Sequence, residues 1–254
     1  MGLSGAADSS HVGRLQGKVA VLTGASRGIG AAQARQFEAE GAHVWITDVL
    51  DPEGRALAEE LGEAVQYRHL DVSDEGNWER VIAEVMSTHG KVDVLVNNAA
   101  ISVLAPLEEI SLDDIELMWR INQRGVLLGM RAVAGHMRGA GRGSIINFSS
   151  GAGVRGQTGM VGYAATKFAV RGMTQVAAGE LASDNVRVNT IIPGLIDTPG
   201  RDATPADERA KRPKVPLGRL GLASEVANMA VFLASDEASY VTGGDFVVDG
   251  GVIL

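Results

Sequence analysis

An α/β fold built on a doubly wound parallel sheet is the class this 254-residue sequence predicts. Three observations predict it. Short β-branched apolar runs alternate with longer amphipathic stretches along almost the whole chain. The short runs are continuously apolar, as strands buried on both faces are. Glycines punctuate the joints between the two kinds of segment. Strand–helix alternation requires right-handed crossovers and puts helices on both faces of the sheet. The ligand crevice of such a sheet lies beyond the C-terminal ends of its strands, so chemistry is expected just after each strand.

The elements follow in order. Residues 18–23 (KVAVLT) read as the first strand, set between Gly17 and Gly24. Residues 31–40 read as a helix stopped by Gly41, and residues 43–47 (HVWIT) as the second strand, leading to Asp48. A helix over 53–61, a third strand over 65–70 and a helix over 75–88 come next, the two helices ending at Gly62 and Gly90. Residues 92–96 (VDVLV) form the fourth strand. Ser111 then caps a helical stretch that continues past Asn122 to about residue 137. A fifth strand over 144–148 (SIINF) precedes a long helix over 163–182 and a sixth strand over 186–192. A helix over 224–234, with Ser224 as its N-cap, and a short strand over 246–248 complete about seven strands. No repeat or linker interrupts the pattern. Residues 15–254 are therefore expected to form one domain behind a flexible extension over 1–14, with the apolar residues 252–254 tucked against a surface.

Composition excludes several classes. Charged residues are 21% and hydrophobic residues 45%, a globular balance. The formal charge of −8 offers no footprint for nucleic acid. No apolar run approaches the roughly 18 residues of a membrane span, and residues 1–13 lack the basic start and apolar core of a signal peptide. Ala6 stands where a myristoylation signal needs Ser or Thr. With no cysteine there are no disulfides, thiolate metal sites or cysteine nucleophiles, and a cytoplasmic protein is expected. The five histidines (11, 43, 69, 89 and 136) show no metal spacing, and no metal is expected.

The first strand runs into Gly24-Ala25-Ser26-Arg27-Gly28-Ile29-Gly30 and then a helix. Glycines let the backbone turn sharply and approach a pyrophosphate, while the helix N-terminus offers free N–H groups and the positive end of its dipole. The spacing G-x-x-x-G-x-G departs from the commoner G-x-G-x-x-G. Gly24 to Gly28 also matches the G-x-S-x-G of a nucleophile elbow, but that element belongs deeper in a hydrolase sheet. Asp48 ends the second strand 18 residues beyond Gly30, near the spacing at which an acidic residue meets an adenosine ribose. A carboxylate there accepts from both ribose hydroxyls and repels a 2′-phosphate. Val49 follows it rather than an arginine, which favours NAD over NADP. Arg27 is the one group in the glycine loop that could instead attract a phosphate. Asp71 and Val72 after the third strand could meet an adenine. Asn98 and Ala99 after the fourth could line the cofactor path, although asparagines at strand ends often only satisfy loop backbone groups.

Tyr163 and Lys167 are four residues apart, on one helix face, in a chain with only three tyrosines and five lysines. A nearby ammonium lowers a phenol pKa from about 10, towards the range in which an acid/base group works best. Ser150 follows the fifth strand at the crevice edge, 13 residues before Tyr163, where its hydroxyl could hold a substrate oxygen.

Together these motifs resemble the NAD(P)-dependent short-chain dehydrogenase/reductase family. The match runs from Thr23 to Gly251 through TGASRGIG, Asp48, Asp71-Val72, NNAA at 97–100, Asn122, Ser150, YAATK at 163–167, PGLIDT at 193–198 and VDGG at 248–251. The resemblance implies a Rossmann-type domain and a set of roles. Tyr163 is the proton donor or acceptor, Lys167 binds the nicotinamide ribose and lowers the Tyr163 pKa, Ser150 orients the substrate oxygen, and Asn122 holds a relay water beside Lys167. Pro193, Gly194, Ile196 and Thr198 lie against the nicotinamide and pyrophosphate. Residues 199–217 form a substrate lid, and the chain is a homotetramer paired through the small residues of its long helix. The stretches HLDVSD and SYVTGGDFVVDGG are similar to bacterial hydroxysteroid dehydrogenases of the family. The family's usual Asn-Asn-Ala-Gly carries Ala100 in place of glycine, which puts the local loop in question. Gln157 and Leu195, with Ser102 and Met160, are placed in the substrate pocket by position alone. The expected activity is hydride transfer between NAD and a secondary alcohol or ketone, on a small-molecule substrate with no nucleic acid or membrane partner. The alternatives are an NADPH-dependent 3-ketoacyl-thioester reductase and a non-enzymatic nucleotide sensor.

Overall fold

The structure, a computed structural model, describes residues 13–198 and 215–254. Of the expected extension over 1–14 and lid over 199–217, residues 1–12 and 199–214 lie outside the described residues. Seven strands, β1 (Val19–Thr23), β2 (His43–Asp48), β3 (Val65–His69), β4 (Val94–Asn97), β5 (Gly143–Phe148), β6 (Val186–Pro193) and, after two short strands introduced below, β9 (Asp245–Val248), form one parallel sheet. Its order is β3-β2-β1-β4-β5-β6-β9. The chain winds outward from β1 to β3 and then returns to place β4 on the other side of β1. That reversal opens the crevice at the C-terminal ends of β1 and β4, where the glycine loop and the NNAA stretch emerge.

The central strands β1, β4, β5 and β6 are buried on both faces because alternate residues feed different cores, whereas the edge strands β3 and β9 are only partly covered. Ala20 and Leu22 of β1 join Phe37 of α1 (Gly28–Ala39), Leu57 of α2 (Asp51–Leu61) and the α7 residues Val226, Ala230 and Val231 (Ala223–Ala234). Val19 and Val21 face the other way. There they meet Trp78, Val81 and Val85 of α3 (Glu75–His89), Val133 and Met137 of α5 (Gly125–Ala140), and Val170 and Ala178 of α6 (Val161–Leu181).

Six details depart from the sequence reading. Helix α1 begins at Gly28, inside the glycine motif rather than after it, so the last two glycines of the motif form its first turn. The helical stretch capped by Ser111 is continuous but not uniform: α4 (Leu112–Met118) widens into a π segment over Trp119–Arg124 before α5. Ser224 is not an N-cap, because α7 starts one residue before it, and the Glu225 carboxylate instead accepts from the Leu222 N–H at 2.7 Å. A two-stranded parallel ladder, β7 (Ile196–Asp197) with β8 (Gly221–Leu222), was not legible, being too short to carry a period. The C-terminal tail is only partly tucked: Ile253 packs on Gly151, while Leu254 is 95% exposed. At the other end Arg14, assigned to the extension, donates its backbone and side-chain N–H groups to Glu40, and Leu15 is fully buried.

Candidate active site

The glycine loop is shaped by contacts that exclude a side chain. Gly24 has φ +61, and a Cβ on it would lie 2.7 Å from the Ala99 backbone. A Cβ on Gly30 would strike the Gly24 carbonyl and lie 2.7 Å from Ala25. The start of α1 therefore packs directly on the end of β1, with its first N–H groups aimed over the sheet edge. Asn98 secures the loop from the neighbouring strand: its Nδ2 donates to the carbonyls of Thr23 and Gly24, each at 3.0 Å, and its backbone N–H to Thr23 Oγ1 at 3.0 Å. The side-chain N–H groups of Asn98 are thus committed to bracing the loop, the alternative weighed for a strand-end asparagine. Among the described residues only Asn185 combines a side chain with positive φ, so Ala100 sits in its loop without left-handed strain and the substitution for glycine costs the turn nothing.

The loop forms one wall of a cleft of about 360 Å³. Gly24, Arg27, Gly28 and Ile29 line it from one side; Asp48, Asp71, Val72, Asn98, Ala99 and Thr198 line the rest. Asp48 is held on three sides. Its Oδ2 accepts from Ser26 N at 3.0 Å, and its Oδ1 from Val49 N at 2.8 Å and Leu50 N at 3.3 Å. Arg27 is exposed on the cleft rim. Val72 is fixed by Trp78, whose Nε1 donates to its carbonyl at 3.0 Å. Sequence reasoning missed Leu50, Leu70, Ile101 and Ile121, which complete the apolar lining. The first three each lie within a few residues of a strand end and could have been named on that ground; Ile121 sits on the π segment, which has no sequence signal.

Ile101 links this cleft to the catalytic candidates. Asn122, fully buried on the π segment, accepts from Ile101 N at 2.8 Å and donates to Ile101 O at 2.8 Å and Thr166 Oγ1 at 3.2 Å. Thr166 in turn donates to the Tyr163 carbonyl at 2.8 Å. The Asn122 carboxamide is therefore a brace between the cleft wall and α6, and both of its N–H groups are occupied by protein.

Ser150, Tyr163 and Lys167 come together because β5 and α6 are stapled at their ends. Lys167 Nζ donates to Phe148 O at 2.8 Å, and Ser149 Oγ to Lys167 O at 2.8 Å. A Cβ on Gly153 would strike Ser149 Oγ, so glycine there lets the loop after β5 fold back onto α6. That fold brings the Ser150 hydroxyl near enough to the Tyr163 phenol to favour its ionised form. Lys167 Nζ stands 5.6 Å from the centre of the Tyr163 ring. The expected acidification of the phenol is not what this geometry produces. Burial raises the Tyr163 pKa, with the nearby Ser150 hydroxyl acting against it. Burial also pushes the Lys167 ammonium down to about 8. Lys167 is 2% exposed and Tyr163 is partly covered, and this loss of hydration outweighs an ammonium that donates to a carbonyl.

The remaining candidates fall in different places. Thr198 faces the glycine loop, its Cγ2 lying 3.5 Å from where a Cβ on Gly28 would sit. Gly194 packs on Asp249, and the Ile196 side chain is buried in the core, so only its backbone faces outward. Gln157 lies in a separate crevice of about 480 Å³ beside Ala105, Leu107, Val161, Ala164 and Ala165, away from the helix face that carries Tyr163 and Lys167. The Leu195 carbonyl accepts from Gly221 N at 3.0 Å and ties β6 to the short ladder.

Comparison with known proteins matches this arrangement. A family model described as Enoyl-(Acyl carrier protein) reductase matches residues 24–253. The 3-alpha-(or 20-beta)-hydroxysteroid dehydrogenase of Mycobacterium tuberculosis is 47% identical over 241 residues, covering 95% of this chain and 91% of that protein. The sorbitol dehydrogenase of Cereibacter sphaeroides is 42% identical, covering 94% of this chain and 98% of that one. A crystal structure from Burkholderia xenovorans, described as a short-chain dehydrogenase/reductase, superposes with a TM-score of 0.89 at 37% identity, covering 94% of this chain and 98% of that one.

Proposed function

The chain belongs to the short-chain dehydrogenase/reductase family, and from that premise we propose that it is an NAD-dependent dehydrogenase acting on a secondary alcohol or ketone of the hydroxysteroid or cyclic-ketone class. The observation that carries the reading is the meeting of Ser150, Tyr163 and Lys167 at the end of β5, with the Lys167 ammonium 5.6 Å from the centre of the Tyr163 ring and Thr166 and Asn122 linking the Tyr163 backbone to the cleft wall. The residues present fit a dinucleotide. A glycine cradle that no Cβ could enter opens on a helix N-terminus, and a carboxylate stands at the end of β2. Bound there, a nicotinamide dinucleotide supplies the hydride donor or acceptor. Gly24, Ser26, Arg27, Gly28, Ile29 and Gly30 would hold its phosphates, Asp48 its adenosine ribose, Asp71 and Val72 its adenine, and Asn98, Ala99, Pro193, Gly194, Ile196 and Thr198 the rest of its path.

In this reading Ser150 donates a hydrogen bond to the substrate oxygen and Tyr163 moves the proton. The Tyr163 O–H gives its proton to a carbonyl oxygen in reduction; in oxidation the phenolate takes the proton of the alcohol. Because burial keeps the phenol protonated, reduction is the direction for which the side chain is already charged with its proton at neutral pH. The Asn122 carboxamide has its N–H groups engaged by Ile101 and Thr166, so a relay water would be held by the backbone of the π segment. Gln157 lies in a crevice of its own and Leu195 at the β6–β8 link, so in this reading neither touches the substrate.

NAD is favoured over NADP because Asp48 presents an anion, held by three backbone N–H groups, where a 2′-phosphate would lie. Following nicotinamide absorbance with NADH and NADPH on a panel of cyclic ketones tests both halves of the proposal. Turnover with NADH on ketones, exceeding that with NADPH by at least tenfold, is expected. Faster turnover with NADPH on 3-ketoacyl thioesters would select the alternative reductase.

We propose further that residues 15–254 act as one catalytic domain and that four copies assemble. The support is a stripe on α6: Ala165, Phe168, Gly172, Val176 and Gly179 are all exposed at helical spacing, and a Cβ on either glycine would meet nothing. Leu127 and Trp119, each more than two-fifths exposed, extend the apolar surface. Light scattering after size exclusion is expected to return four times the 26.5 kDa chain mass; a monomer at micromolar concentration would refute the assembly.

A further inference from the structure

Behind Asp48 lies a cluster that the cofactor reading does not use. Tyr67, on β3, is 7% exposed. Its hydroxyl donates to Asp51 Oδ1 at 2.5 Å, with the Asp48 carbonyl oxygen 2.9 Å away. Asp51, at the start of α2, is gripped from a second side by His69, whose Nδ1 lies 2.7 Å from the same Oδ1. The Tyr67 ring packs against Gly54, where any Cβ would strike its ring carbons. That same Cβ would also lie 2.8 Å from Ser26 Oγ. The glycine loop through Ser26, the end of β2 through Asp48, the first turns of α2 through Leu50, Asp51 and Gly54, and β3 through Tyr67 therefore meet at one packed joint.

The joint has a direction. The Asp48 carboxylate is aimed by three N–H groups, of which one belongs to the glycine loop and two to the turn that follows Asp48. The turn itself is held from below by the Tyr67 hydroxyl, on the Asp48 carbonyl and on Asp51. The Tyr67 proton is firmly retained, since burial and the Asp51 carboxylate both raise its pKa. Its single proton goes to Asp51, the shorter contact, with the Asp48 carbonyl close beside it, while the Asp48 carboxylate is held by backbone N–H groups at the cleft.

We infer that Tyr67 is a positioning residue for dinucleotide selection: through Asp51 and the Asp48 carbonyl it fixes the β2–α2 corner so that the Asp48 carboxylate stays at the ribose site. The inference rests on the NAD reading of Asp48. It assigns Tyr67 no contact with cofactor or substrate.

Tyr67→Phe tests it, because the ring that packs on Gly54 is kept and only the hydroxyl is lost. Binding of NADH and of NADPH to the full-length chain is measured by nicotinamide fluorescence, without turnover, alongside thermal unfolding. Removing one hydrogen bond to a charged corner is expected to weaken NADH about threefold to tenfold, to leave NADPH unchanged or slightly tighter, and so to narrow the preference by that factor. Asp51→Asn, which keeps an oxygen acceptor but removes its charge, is expected to give a smaller shift in the same direction. A merely structural role would lower the melting temperature and weaken both dinucleotides equally, and that result overturns the inference. An unchanged NADH-to-NADPH ratio in Tyr67→Phe overturns it too, while a wild-type chain that prefers NADH leaves the Asp48 reading standing. A wild-type chain that prefers NADPH overturns both together.

Discussion

Tyr163→Phe is expected to lower kcat for ketone reduction by about 10²–10⁴-fold, the usual worth of a placed acid/base group, while NADH affinity changes less than twofold. The two effects separate because the phenol oxygen and the dinucleotide cleft are held by different elements. Tyr163 reaches its position from α6, fixed by the Thr166 bond to its carbonyl and by the staple between Lys167 and Phe148. None of these involves the hydroxyl, so the variant keeps the helix and loses only the phenol oxygen and its proton. Steady-state kinetics and a fluorescence titration of NADH check it. Retention of near wild-type turnover would remove Tyr163 from the chemistry. The pH profile carries the same logic. Burial holds the Tyr163 pKa above its ordinary value, so reduction should stay flat across neutral pH and alcohol oxidation should rise continuously with pH as the phenolate forms.

Lys167→Met should produce the opposite pairing of effects, a loss of activity with a gain of stability. Lys167 is 2% exposed, and burial pushes its pKa from 10.5 to about 8. The folded chain thus holds this proton less tightly than the unfolded chain. Below pH 8 both states are protonated and the full cost of burying an ammonium is present. Between pH 8 and 10.5 the unfolded state binds more protons, so the wild-type chain gains stability as pH rises through this window. A shift of that size corresponds to about 3 kcal/mol. The loss of the bond to Phe148 O takes back about 1 kcal/mol of it. A methionine of similar length is therefore expected to stabilise the protein by on the order of 1–2 kcal/mol at pH 7, and by much less above pH 10. Denaturant unfolding at the two pH values measures this. Turnover should fall by at least 10²-fold. A variant less stable than wild type at both pH values would show that Lys167 is paired rather than merely desolvated.

Much of this protein is legible in its sequence, and the reason differs by element. The central strands were readable within a few residues because each is apolar on both faces, and the edge strands β3 and β9 because short runs with β-branched and aromatic residues close to glycines mark them. Asp48, Ser150, Tyr163 and Lys167 were readable because they follow strands or share a helix face, which are spacings in the chain. The Ser224 cap was misread because Glu225, one residue on, is a stronger acceptor for the free N–H of Leu222. The π segment that buries Asn122 has no periodic signature, since one widened turn leaves the apolar pattern almost unchanged.

The chain order of apolar runs and glycines by itself determined the sheet, the crevice and the residue types at its rim, because burial on two faces and turns without a Cβ are local demands on composition. Only the tertiary structure decided what those residues are bonded to. Asn98 proved to brace the glycine loop, Asn122 to join the cleft wall to α6, and Tyr67 to stand behind Asp48. It also decided the sign of the Tyr163 shift. Spacing on a helix shows that an ammonium is near, but whether it lowers a phenol pKa depends on how much water both have lost, and that is set by the packing of β5 against α6.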